Sequence, residues 1–206
     1  EPRRTGPHTH IGGESIMATV LVPLADGFEE IEAVTVVDIL RRGGAEVTVA
    51  GLAPGPVHGS HGIQLVPDET LDDVLNRDYD MIVLPGGLPG ADNLEADERI
   101  AGLLRRMADA GRFTAAVCAA PKVLAAAGLL EGRRATSFPG FLDPYREEGV
   151  RLAADAVVRD GRIITSRSAG TAMDFALELV AALLGEERAM EVEQRLRRSH
   201  PLRAPV

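Results

Sequence analysis

Cysteine is almost absent from this sequence: Cys118 is the only one in 206 residues. A single thiol excludes an intramolecular disulfide framework and a metal centre built from cysteines. It suits a reducing compartment, so the expected location is the cytoplasm. Basic charge is also short. Lys and Arg total 22 against 31 Asp and Glu, a formal net charge of −9. That leaves no positive field to attract phosphates, and a nucleic-acid partner is not expected. No apolar run approaches the length of a membrane span, and the first residues lack the apolar core of a signal peptide. There is no internal repeat and no low-complexity tract. Histidine is sparse as well. His58, His61 and His200 follow the first strand, but none neighbours Cys118 in sequence or sits in a loop at the strand ends, so a Cys–His hydrolase lacks its base. No histidine pair shares a helix face with acids, which argues against a metal. Pro85-Gly-Gly-Leu-Pro-Gly90 lacks the spacing of a dinucleotide fingerprint, and there is no Walker lysine, so no cofactor is expected.

What is present is 45% hydrophobic residues, enough for one substantial domain. Residues 1–16 mix Pro, Gly, Arg, His8 and His10 without periodicity and read as a disordered extension ahead of Met17. One domain is expected over 17–198, with a tail over 199–206. From Met17 onward, strand and helix alternate. Strands are expected at 18–23, 46–50, 80–84 and up to Cys118, with a hairpin around Asp160-Gly161. A small β excursion is expected over 58–66. Helices are expected at 28–42, 71–75, 94–110, behind Cys118 to 127, 171–184 and 187–198. Asp26 and Glu29 have capping-box spacing. Continuous apolar strands between helices predict a mainly parallel sheet covered on both faces. In such sheets the ligand site lies beyond the carboxyl ends of the strands, where the loops after Pro23, Leu84 and Val117 converge.

Each of these loops carries a candidate. Cys118 ends an apolar run and a helix starts behind it, with Pro121 suited to its first turn. Amide N–H groups and the dipole of that helix favour a thiolate. A buried, inert thiol is the alternative. Glu32 shares an apolar helix face with Val36 and Ile39. Either it is a desolvated acid with a raised pKa, able to donate to a thiolate, or it only complements the helix dipole. Gly86 and Gly87 allow a tight turn that presents free N–H groups to an oxyanion, or form an ordinary turn.

Four segments together resemble the DJ-1/ThiJ/PfpI superfamily: Ala25-Asp-Gly-Phe-Glu-Glu-Ile-Glu32, Leu84-Pro-Gly-Gly87, Ala116-Val-Cys-Ala-Ala-Pro121 and Ile164-Thr-Ser-Arg-Ser-Ala-Gly-Thr171. The resemblance implies a flavodoxin-like α/β three-layer sandwich, a cysteine nucleophile elbow and a homodimer. It assigns Cys118 as the reactive cysteine, hydrogen-bonded to Glu32. Gly87 and Ala119 become oxyanion donors, and Arg167 lies in the loop at the pocket rim. It further implies cofactor-independent glyoxalase III or protein deglycase activity on small aldehydes, peroxide sensing, or chaperone action.

Two departures qualify this pattern. The protease-like branch has histidine directly after its cysteine, whereas Ala119 stands here, which disfavours a peptidase or an amidotransferase-type hydrolase. In the later loop, Phe138 occupies a position where the glyoxalase branch often has histidine. Phe138 shuttles no protons, so acid–base work falls to Glu32, Cys118 or water. The leading expectation is an enzyme acting on reactive carbonyls such as methylglyoxal. The competing one is a redox sensor or holdase whose Cys118 is oxidised to the sulfinic state.

Overall fold

The structure, a computed structural model, describes residues 17–201. The expected disordered extension, with His8 and His10, lies outside the described residues, as do the last five residues of the expected tail.

In chain order, β1 (Thr19–Leu24) leads into α1 (Glu30–Gly43) and β2 (Glu46–Gly51). A small antiparallel hairpin of β3 (Val57–His58) and β4 (Gln64–Leu65) follows. Then come β5 (Glu69–Thr70), the one-turn α2 (Leu71–Val74) and β6 (Met81–Leu84). Helices α3 (Gly90–Ala96) and α4 (Glu98–Asp109) precede β7 (Phe113–Val117) and α5 (Pro121–Ala126). The last third pairs β8 (Arg134–Ala135) with β9 (Arg151–Leu152), forms the hairpin of β10 (Val157–Asp160) and β11 (Ile163–Ser166), and ends in α6 (Ala172–Leu184) and α7 (Glu186–Leu196).

Seven strands make one sheet in the order β10-β11-β7-β6-β1-β2-β5, parallel except for β10. Strand alternation sends successive side chains to opposite faces. Leu21, Ile82, Leu84 and Ala116 therefore pack against α4 and α5, through Leu103, Leu104 and Leu124. Val20, Val22, Met81, Val83 and Val117 face α1 and α6, through Val36, Leu40, Phe175 and Leu179. Because both faces are covered, the central strands are apolar at every position, which is why they read as continuous runs. The expected three-layer flavodoxin-like sandwich is the observed fold.

Local details differ from the sequence reading. Asp26 does not cap α1; its carboxylate instead accepts the His58 N–H at 2.8 Å. The cap is Glu29, whose Oε2 accepts the Glu32 N–H at 2.8 Å, and the helix begins at Glu30. Helix 94–110 is two helices. Asp97 breaks it with an extended backbone and accepts the Arg99 N–H at 3.0 Å, capping the second segment. Apolar periodicity runs through both segments, so the break leaves no mark on the hydrophobic pattern. Among the described residues, no helix is long and apolar enough to cross a membrane.

Parallel strands β1, β6, β7 and β11 end at one edge of the sheet. The loops that follow them meet there, and β7 lies between β6 and β11.

Candidate active site

At the end of β7 the chain turns through Cys118, a non-glycine residue with a φ of +62°. A left-handed conformation costs an L-residue on the order of 1–2 kcal/mol. Backbone bonds on both sides enforce it: the Cys118 N–H donates to Ser166 O at 3.0 Å, and its carbonyl accepts the Phe138 N–H at 2.8 Å. The elbow lifts a half-buried thiol out of the strand line, and α5 starts three residues later.

Glu32 is fully buried in the first turn of α1. Its Oε2 accepts the Gly86 N–H at 2.8 Å, while Oε1 is buried without a hydrogen-bond partner. Gly86 fills the narrow space between this carboxyl and the elbow. A Cβ there would lie 2.6 Å from Glu32 Oε2 and 2.7 Å from both Cys118 Cβ and Val117 O. Gly86 therefore does not act as the expected oxyanion donor, because its N–H is already taken by Glu32. Gly87 has a φ of +89°, and a Cβ on it would come within 2.5 Å of Glu29 N and Gly27 O. Only glycine fits at either position, for these two different reasons.

The amides of Gly87 and Ala119 interact with the Cys118 sulfur and favour its charged form. They are outweighed. Burial and the adjacent Glu32 push the thiol up to about 12. The expected low-pKa thiolate is thus not what this environment produces at rest. The helix behind the cysteine has only six residues, and its dipole is small beside desolvation and a neighbouring carboxylate. Burial in turn raises Glu32 to about 7, against the Gly86 and Cys118 hydrogen-bonding contributions, and the Glu29 charge raises it further. Cys118 and Glu32 therefore form a coupled pair that loses its first proton near neutrality.

Two further candidates are fixed by contacts of their own. Phe138 is tied to Cys118 through its backbone, is 46% exposed, and meets Phe141 edge to face at 6.2 Å between centroids. Arg167 follows Ser166 and donates from its guanidinium to Ala154 O at 2.8 Å, which holds the side chain along the 153–156 segment. The histidines lie elsewhere: His58 Nδ1 is 3.5 Å from Asp26 Oδ1, and His61 Nδ1 is 3.1 Å from Glu30 Oε2. Among the described residues, no histidine hydrogen-bonds to Cys118. Sequence reasoning missed the burial of Glu30 and its grip on His61. Glu30 lies two residues from Glu32, off the apolar stripe that drew attention to the latter.

Comparison with known proteins identifies the family and the fold. A profile of the DJ-1/PfpI family matches residues 18–182. Protein DJ-1 homolog A of Arabidopsis thaliana is 42% identical over 180 residues, covering 86% of this chain and 46% of its own, so this chain spans less than half of that relative. The glutathione-independent glyoxalase DJR-1.2 of Caenorhabditis elegans is 40% identical over 171 residues, 83% of this chain and 90% of its own. The crystal structure of Drosophila melanogaster DJ-1beta superposes with a TM-score of 0.85 at 40% identity, covering 90% of this chain and all of that one.

Burial of Glu32 has a measurable cost. Its folded-state pKa of about 7 lies above the ordinary glutamate value of 4.5, so folding takes up a proton between these values and stability falls as pH rises through them. Glu32→Gln removes this titration. Relative to wild type, the variant should gain on the order of 2–3 kcal/mol more at pH 8 than at pH 4. Thermal unfolding at both pH values measures the difference, and an equal shift at the two would mean that Glu32 titrates normally.

Proposed function

The chain belongs to the DJ-1/PfpI family, and on that premise we propose that it is a cysteine-dependent enzyme that converts small 2-oxoaldehydes such as methylglyoxal to 2-hydroxyacids without glutathione or another cofactor. The observation that carries this reading is the coupled Cys118–Glu32 pair beneath the Gly87 and Ala119 amides. A carboxyl with a pKa near the working pH is suited to general-base catalysis. Glu32 takes the thiol proton as Cys118 sulfur bonds to the aldehyde carbon, so no preformed thiolate is needed. The Gly87 and Ala119 N–H groups hold the oxygen of the resulting hemithioacetal, and Glu32 passes the thiol proton to that oxygen, which restores its carboxylate. Glu32 then moves the proton from the former aldehyde carbon to the adjacent carbon through an enediol. Water cleaves the thioester so formed, releasing the hydroxyacid and restoring the thiol. The sum is aldehyde plus water to hydroxyacid, with no external oxidant or reductant. Phe138 gives the pocket an apolar wall and takes no proton.

A Cys–His hydrolase is not supported, because His58 and His61 are bonded to Asp26 and Glu30 in the β3–β4 region. The sensor reading keeps one supporting observation: the amides at the sulfur and a protonated Glu32 would also stabilise a sulfinate. A second copy of the chain is the proposed partner. Ile31 and Val34 on the outer face of α1, and Ile63 and Val66 around β4, are 48–80% exposed, an apolar surface suited to burial in a homodimer.

The first test is lactate formation from methylglyoxal without glutathione. Cys118→Ala should abolish it, and Glu32→Gln should lower kcat roughly 100-fold or more. Full activity in Glu32→Gln would remove the glutamate from the mechanism. If folded wild type gives no lactate, peroxide treatment followed by mass spectrometry decides for the sensor, with two added oxygens on Cys118 as the expected product. For the dimer, light scattering should give twice the chain mass for wild type and a single chain for Val66→Asp. A wild-type monomer would refute that assignment.

A further inference from the structure

Beside the proposed active site, and outside its chemistry, lies a second cluster of donor atoms. We propose that Glu29, Glu30 and His61 form a binding site for a divalent first-row transition-metal ion of the zinc type. One donor atom from each residue lies within 4.8 Å of the others. His61 Nδ1 is 3.1 Å from Glu30 Oε2 and 3.9 Å from Glu29 Oε1. Tetrahedral ligands about 2.1 Å from zinc sit about 3.4 Å from one another, a spacing that the two imidazole–carboxylate distances bracket.

Each carboxylate divides its two oxygens between folding and this cluster. Glu29 Oε2 caps α1, while Oε1 accepts no hydrogen bond among the described residues and faces the imidazole. Glu30 Oε1 accepts the N–H groups of His61 at 2.7 Å and Ile63 at 3.3 Å, leaving Oε2 for His61 Nδ1 and the Ser60 hydroxyl. The two side chains are on residues only 9% and 5% exposed. Among the described residues, no Lys or Arg pairs with either, and the imidazole is their one potential cationic partner. Buried carboxylates are ordinarily paired or coordinate a cation. Here two carboxylates face one imidazole.

The ligands are also held in advance. The Gly27 N–H donates to His58 O at 2.7 Å, and the Ser60 N–H to Phe28 O at 2.8 Å, which ties the His61 loop to the segment before α1. The imidazole is largely exposed, so an ion enters from solvent and keeps water in its fourth position. Binding through Nδ1 requires the ring proton on Nε2.

Zinc and cobalt titrated into the full chain test the proposal, by calorimetry and by the visible d–d absorption of bound cobalt. One equivalent should bind. His61→Ala should weaken it at least ~10-fold, and Glu30→Gln likewise. His61→Ala keeps the backbone N–H bond to Glu30, so it remains informative if Glu30→Gln disturbs the loop. Binding should survive both Cys118→Ser and the double substitution His8→Ala/His10→Ala. No binding, binding indifferent to His61→Ala, or binding lost with Cys118 or with His8 and His10 would each overturn the assignment.

Discussion

The structure turns on a carboxyl group kept out of water. Glu32 is buried at the start of α1, hydrogen-bonded through one oxygen to Gly86 and unpaired through the other. Three separate loops must be placed correctly for this to occur. The first strand delivers α1, β6 leads through Pro85 into Gly86, a residue without a side chain, and β7 leads into Cys118, forced to a positive φ. The parallel order β11-β7-β6-β1 puts these ends side by side. The strain at Cys118 is sustained by bonds to Ser166 and Phe138, each contributed by a later part of the chain.

That arrangement determines the acid–base character of the pair. An elbow behind a helix start suggests a thiolate, but here desolvation and a carboxyl neighbour act on the sulfur more strongly than two amides and a short helix. The same burial moves the carboxyl toward neutrality. The proposed transfer of a proton during addition to a carbonyl fits this pair better than release beforehand. The desolvation that brings Glu32 close to neutral pH, as the proposed base role requires, is also a cost to folding above that pH.

The surface beside the site is built from the same segment. Glu29 caps the helix and Glu30 holds the His61 loop, so two of the three acids around this turn organise the backbone that positions the third. Ile31 and Val34 face outward from the same turns. Within six residues, 29 to 34, the helix start supplies a cap, a loop anchor, the buried acid and an apolar exterior.

Much of this was legible in the sequence. Continuous apolar runs such as Met81–Leu84 identify strands buried on both sides, and the alternation with amphipathic helices leads to a parallel sheet, because local pattern and burial obey the same periodicities. The four family segments located Cys118, Glu32 and the Gly-Gly turn. Tertiary structure alone decided the rest. That Gly86 serves Glu32 while Gly87 and Ala119 face the sulfur depends on angles between loops more than 30 residues apart. That Cys118 is raised rather than lowered depends on how much water the assembled loops exclude. The partnership of Glu30 with His61, 31 positions later, carries no local signal. Sequence specifies which groups are available through short-range pattern, whereas their ionisation and partners follow from distances that exist only once the sheet has ordered its strand ends.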